Sequence, residues 1–217
     1  MPLLTLQDLQ NRVYSRLDGN TLLYSAGQVN DAINEAIQAL NLQTGFIQTT
    51  VQIPGWSQQN RVWYDVPSPI VIPLRCQFEG SYLQPATLNG IGRQYPNWTG
   101  DTTSNTGLPV TYWIPAGLGL FAIYPADALG GQDLRMTGVQ IPPTLVNLSD
   151  TVPIPNEYVS AFDLLAVHTL QLKESSEMFT QSSLDYQAFM RVMKKASIWR
   201  GMVQPRYFVE SQQKSAK

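Results

Sequence analysis

The chain holds little of what most enzymes and metalloproteins use. It has one cysteine, Cys76, and one histidine, His168, in 217 residues. An internal disulfide is thereby excluded, and cysteine/histidine zinc clusters and most histidine-based catalysis nearly so. Charge is scarce too: Asp, Glu, Lys and Arg make up 14% of the residues, against about 25% in ordinary soluble proteins. With 14 basic and 16 acidic residues the net charge is -2, which argues against capture of nucleic acid over a whole face. No run reaches the roughly 18 apolar residues of a membrane span. The segment Met1-Pro2-Leu3-Leu4-Thr5-Leu6-Gln7-Asp8 lacks the basic start and long apolar run of a secretory signal. The expectation is a soluble protein with no membrane segment, no metal and no cofactor. Without a signal, Asn97-Trp98-Thr99 and Asn147-Leu148-Ser149 read as loop sequence rather than glycosylation sites.

What is present is enough for a core: 43% of residues are hydrophobic, at a length that fits one large domain or two small ones. Leu6, Leu9, Val13 and Leu17 recur at helical spacing after Thr5, a capping residue with Asp8 three positions on. Asp18-Gly19-Asn20 stops that helix. Ser25 and Gln28 have capping-box spacing before Val29, Ile33, Ala36, Ile37 and Leu40. From about Phe46 to Ser149 the pattern changes to short β-branched and aromatic runs broken by Pro and Gly, with most of the 15 prolines here. Strands are predicted at Thr49–Ile53, Arg61–Val66, Ile70–Phe78, Val110–Ile114, Gly119–Tyr124 and Leu134–Val139. Helical period returns after Pro155, with Tyr158, Phe162, Leu165, Ala166, Thr169 and Leu172 on one face. A last helix is predicted from Ser182 to Trp199, apolar at Phe189, Val192, Met193 and Ala196, with Gly201 closing it.

These segments predict an α+β fold. Residues 1–45 and 150–200 form a helical bundle from both chain ends, residues 46–149 an inserted antiparallel β domain, and residues 201–217 an extended C-terminal tail.

Few residues offer chemistry. His168 stands alone in its helix, and Cys76 alternates with Leu74 and Phe78 on a strand face; both read as structural. Asp127 and Asp133 flank Gly130-Gly131, a turn rather than a calcium loop, because no alternating acidic run supplies the six or more oxygens a hard cation takes. Gly117 and Gly119 lack the spacing of a phosphate-binding loop and fit a tight hairpin. No carboxylate pair is marked out for glycosidase chemistry. Tyr and Trp are frequent in the β region and serve cores, sugar sites and protein interfaces alike; Trp98, beside Gly100-Asp101, is the aromatic expected at the surface. From Ser176 to Lys217 seven basic residues face three acidic ones, an asymmetry typical of an arm that docks on an acidic surface. Within that arm Pro205-Arg206-Tyr207-Phe208-Val209 combines the residue types favoured at binding hot spots.

The order of certain short motifs resembles the head-to-tail adaptor (connector) proteins of short-tailed bacteriophages. They are Leu83-Gln84-Pro85-Ala86-Thr87-Leu88, Tyr95-Pro96-Asn97-Trp98, Gly107-Leu108-Pro109-Val110-Thr111-Tyr112 and Leu120-Phe121-Ala122-Ile123-Tyr124-Pro125. Ile141-Pro142-Pro143 and Asp150-Thr151-Val152-Pro153-Ile154-Pro155-Asn156-Glu157-Tyr158 follow. Val159 stands where the family often has histidine. The resemblance implies a non-enzymatic virion protein of the neck, made in the host cytoplasm, that forms a homo-oligomeric ring, a dodecamer, beneath the portal. It implies the portal protein and tail nozzle or fibre proteins as partners, and DNA that passes through unheld. Helices would face the portal and channel, and the tail would climb the portal, with Pro205, Arg206, Tyr207, Phe208 and Val209 as its anchor. The alternative from a different class is an aromatic β module that recognises a glycan or cell-surface polymer.

Overall fold

A computed structural model describes residues 3–17, 23–100, 108–117, 119–172 and 179–203. The helices among them are α1 (Leu6–Arg16), α2 (Ala26–Thr44), α3 (Leu88–Gln94), α4 (Asn156–Leu172) and α5 (Phe179–Val203). The strands are β1 (Leu4–Thr5), β2 (Gln48–Gln52), β3 (Trp63–Asp65), β4 (Ile70–Phe78), β5 (Ser81–Tyr82), β6 (Gln84–Pro85), β7 (Tyr112–Pro115), β8 (Leu120–Tyr124), β9 (Leu134–Gln140) and β10 (Thr151–Val152). The fold is α+β. Two compact units make it up: one from the residues up to Ile47 together with Ile141–Val203, the other built on Gln48–Gln140.

In the first unit, Thr5 starts α1 from extended backbone. Its hydroxyl accepts the Asp8 N–H at 3.1 Å, and the Asp8 carboxylate takes the Thr5 N–H at 3.0 Å and hydroxyl at 2.7 Å. The reciprocal bonds satisfy donors that a helix start leaves open. Ser25 and Gln28 repeat the device on α2, which ends at Gly45 in the left-handed region, φ 66°, its N–H on the Asn41 carbonyl. Leu6, Leu9 and Val13 of α1, Val29, Ile33, Ile37 and Leu40 of α2, Phe162, Ala166 and Leu170 of α4, and Phe189 and Met193 of α5 share one buried core. Short helices are marginal alone, so this shared stripe is what stabilises them. β1 pairs antiparallel with β10, and the Leu6 N–H reaches the Asp150 carbonyl at 2.9 Å. Two expectations for this unit are corrected. Leu172 is half exposed at the end of α4 rather than on its buried face. Gly201 does not close the last helix, which continues to Val203 before Pro205; the backbone there forms helix despite the modest penalty of glycine.

The second unit packs two sheets, β2-β9-β4-β5 and β3-β8-β7-β6. Tyr64, Trp113, Phe121 and Ile123 of the second sheet meet Cys76, Leu134 and Met136 of the first in one core. Strand residues alternate between faces, so Ile114, Ala122 and Tyr124 turn the other way and form another core with Val62, Ile91 of α3 and Trp98. The second sheet is therefore buried on both faces. One pairing departs from the expected antiparallel domain: β6 and β7 are parallel. A parallel pair needs a long crossover, and α3 with the chain after it supplies one. Pro73 lies within β4 between two register irregularities against β9, the kind of place where a strand tolerates proline.

Gly138 sits in β9 opposite both Thr49 and Pro73. A Cβ there would overlap the Ile70 Cγ2 and lie 2.6 Å from the Ile72 backbone oxygen. Gly138→Ala is expected to destabilise the chain by about 1–3 kcal/mol, read as a lower denaturant midpoint in urea. A second outcome concerns acid. Asp8 and Asp150 are held below the usual carboxylate range, Asp8 by the Thr5 hydroxyl and amide, Asp150 chiefly by the amides of Asn147 and Val146. Lowered folded values mean that the stability these groups contribute is complete above the unfolded carboxylate range and is lost as pH falls through the folded values. Melting temperature should fall on acidification below about pH 4, and the double variant Asp8→Asn, Asp150→Asn should flatten that fall.

Candidate functional site

Neither residue suited to nucleophilic chemistry sits in a reactive setting. Cys76 faces the inter-sheet core, fully buried, and desolvation pushes its thiol up to about 12. A thiol that cannot ionise near neutrality is a poor nucleophile. His168 of α4 places Nδ1 2.8 Å from the Ser182 carbonyl oxygen and 2.7 Å from the Ser182 hydroxyl, and its ring stacks on Tyr186 with centroids 4.8 Å apart. Ser182 is fully buried, so no substrate reaches its hydroxyl. With these contacts and the serine hydroxyl donating to the His168 carbonyl at 3.3 Å, the pair fastens α4 to α5. Among the described residues, no group of three or more His, Cys, Asp or Glu side chains could hold a metal ion.

Asp127 is taken up by its own loop. Its carboxylate accepts from the Ser57 hydroxyl and from the N–H groups of Leu129 and Gly130, each at 3.0 Å. The Ser57 oxygen accepts from Gln132 N–H at 2.7 Å, and the Asn60 N–H reaches the Asp127 carbonyl at 2.7 Å. Two loops are thus stitched together around a buried serine and aspartate. At their tips Trp56, with φ 61°, is 49% exposed and Leu129 is 79% exposed. A bulky residue at positive φ is strained, and the hydrogen bonds around it hold it there. Asp133 bonds Gln52 and pairs with Arg135 at 2.8 Å.

Trp98, expected at the surface, is only 6% exposed. The chain after α3 turns back onto the second sheet, where the indole tilts against Trp63 at 5.4 Å and meets Tyr124 edge-on at 6.2 Å. The helix responsible, α3, escapes the hydrophobic pattern. Its seven residues include two glycines, and Thr87 caps it by accepting the Gly90 N–H at 3.0 Å.

Two surface features emerge in the helical unit. Leu184, Tyr186 and Met190 of α5 are exposed, and Tyr186, Met190, Arg191, Met193 and Lys194 line a groove of about 600 Å³ beside Gln43 of α2. Aromatic residues, Met and Arg are enriched at protein interfaces. The second is a charge cluster. Asp163 of α4 is nearly buried and binds Arg12 of α1 in a two-bond fork, Nε to Oδ1 at 3.0 Å and Nη2 to Oδ2 at 2.7 Å, while Arg16 Nε stands 3.7 Å away. The hydrogen bond to Asp163 raises the Arg12 pKa. Sequence reading missed this cluster, although a signal exists: Asp163 follows Phe162 in an apolar stripe, and a buried carboxylate demands a partner. Pro205, Arg206, Tyr207, Phe208 and Val209 lie outside the described residues.

In the native chain Cys76 should resist a water-soluble thiol reagent and label fast only once denaturant unfolds the β unit. Fast labelling without denaturant would contradict its buried setting.

No helix among the described residues is long and apolar enough to cross a membrane. No curated protein matches the chain. At the level of families, the SU10 adaptor proteins match residues 4–208, a span that covers both units. The family comprises phage adaptor proteins, structural components of the virion that contact other head and tail proteins. This chain belongs to the SU10 adaptor protein family.

Proposed function

We propose that the protein forms a ring, a dodecamer, between the portal and the tail of a phage particle, extends the DNA channel and offers a platform for tail proteins. The observation that carries this reading is the family match over residues 4–208. The helices of both chain ends act as one bundle that meets the portal and channel, and the inserted β domain serves the periphery or tail. Subunits are made in the host cytoplasm and join the particle from there.

Several features support the reading. The charged content of 14% suits a surface that is largely covered on assembly, since Lys, Glu and Asp are depleted in interface cores. The exposed Tyr186 and Met190 of α5, and Trp56 and Leu129 at the loop tips, are residues of the kind that partners cover. A negative net charge suits a conduit that must release DNA. The residues suited to catalysis are occupied otherwise: Cys76 is buried and Ser182 inaccessible. Burial of Trp98 takes away the one aromatic expected at the surface, which weakens the glycan-binding alternative.

Pro205, Arg206, Tyr207, Phe208 and Val209, beyond α5 in the sequence, form the anchor to the portal.

Negative-stain electron microscopy of the chain mixed with the portal protein of the same phage should show a second layer capping portal rings. Deletion of Gly201 to Lys217 should leave the melting temperature of the folded units within a few degrees and abolish that layer. A layer of undiminished occupancy would take the anchor role away from the tail, and no association at any ionic strength would sink the connector reading itself.

A further inference from the structure

Asn11, Arg12, Ser15 and Arg16 occupy positions i, i+1, i+4 and i+5 of α1, two pairs stacked one turn apart on a single face. Together with Asp163 they line a pocket of about 400 Å³. Asp163 lies at its buried side, 5% exposed, with both oxygens engaged by the Arg12 fork. Arg16 approaches only through Nε at 3.7 Å and is 41% exposed. Two guanidinium groups thus face one carboxylate, and one positive charge is left over at the mouth. Asn11 and Ser15 make no side-chain hydrogen bond among the described residues, so an amide and a hydroxyl stand beside that charge.

We propose that this pocket binds a phosphate group. The planar, two-oxygen part of the Arg12 fork is already filled by Asp163, which holds that guanidinium in place. What remains is a set of donors from three residue types spread over two helical turns. A tetrahedral oxyanion with three or more acceptor oxygens uses such a set more fully than a second planar carboxylate does. Arg, Ser and Asn side chains are among the groups that contact phosphate oxygens in nucleic-acid complexes. The phosphate comes either from a nucleic-acid backbone or as the free ion, and one contact of this kind on each subunit is weak and blind to sequence. The inference stands on the geometry of α1 and α4 and does not depend on a ring or a portal.

The test uses the full chain in solution. Inorganic phosphate is titrated against chloride at matched ionic strength while the arginine Nε–H resonances are followed by NMR, and a short mixed-sequence duplex DNA is titrated by fluorescence anisotropy over a range of salt. Phosphate should shift the Arg12 and Arg16 signals saturably. Arg16→Gln, an exposed change that spares the Arg12–Asp163 fork, should abolish the Arg12 shift while the melting temperature holds; Ser15→Ala should weaken it. If DNA also binds, the slope of log affinity against log salt should fall by about 1 in Arg16→Gln, which assigns the site to backbone phosphate. Phosphate binding without DNA binding assigns it to the free ion. The proposal is overturned if no saturable shift occurs, if Arg16→Gln leaves the Arg12 shift intact, or if acetate moves the same resonances as strongly, the last pointing to a partner's acidic side chain.

Discussion

The helical unit depends on one buried charge. Asp163 sits in α4 among Phe162, Leu165 and Ala166, and a carboxylate there without a partner costs several kcal/mol. Its partner, Arg12, lies 151 residues away at the other end of the chain. The fork is geometrically demanding, because two bonds must form at once, so it fixes the rotation of α1 over α4 in a way that apolar contacts do not. Leu6, Leu9 and Val13 fill the core without directional bonds, whereas Arg12 meets Asp163 only in one orientation. The short β1–β10 ladder and the Leu6 to Asp150 bond fix the same pairing of chain ends a turn earlier. The hydrophobic core supplies most of the stabilisation, and the ion pair selects among the ways the core could pack.

The β unit solves a different problem. A sheet with both faces buried needs apolar residues on both, and β8 reads Leu120-Phe121-Ala122-Ile123-Tyr124 with Phe121 and Ile123 on one side and Ala122 and Tyr124 on the other. The tyrosine is the key on the outer side. Its ring lies 4.9 Å from Tyr95 and edge-on to Trp98, so a segment with weak intrinsic order is pulled onto the sheet by aromatic contacts. Those contacts hold α3, whose Gly90 and Gly92 give it little helix propensity. Tertiary burial overrides local preference.

That contrast explains what could be read from the chain. Where periodicity and capping agree, as in Thr5 with Leu6, Leu9 and Val13, or Ser25 with Val29, Ile33 and Ile37, the sequence specifies the helix and its buried face without help. Ile70–Phe78 likewise reads as a strand and is one. What could not be read is whatever depends on distant chain: the parallel β6–β7 pairing, the burial of Trp98, and the Arg12–Asp163 fork. Trp98 stands next to glycine and aspartate, the composition of a surface loop, and only the sheet it covers makes it interior. On the functional side the ordered short motifs carried the family, because fold-level physics alone does not distinguish an adaptor from any other α+β protein.

The scarcity of charge bears on how an adaptor recognises its neighbours. With few ions available, selectivity has to come from shape and from apolar groups held rigid before contact. The exposed Trp56 and Leu129 tips are apolar groups of that kind. Asp127, Ser57 and the backbone bonds between their loops have already met the entropic cost of order during folding, so little of it is left for binding. The strain at Trp56 fits the same logic: a left-handed tryptophan is unfavourable in isolation, and it persists where surrounding bonds over-determine it. The described surface thus holds apolar points on the loop tips of the β unit, an apolar groove along α5, and a polar, singly charged pocket on α1. Contacts at apolar points depend on fit and are nearly indifferent to salt, whereas an ion drawn to the excess charge of the pocket is held less tightly as salt rises.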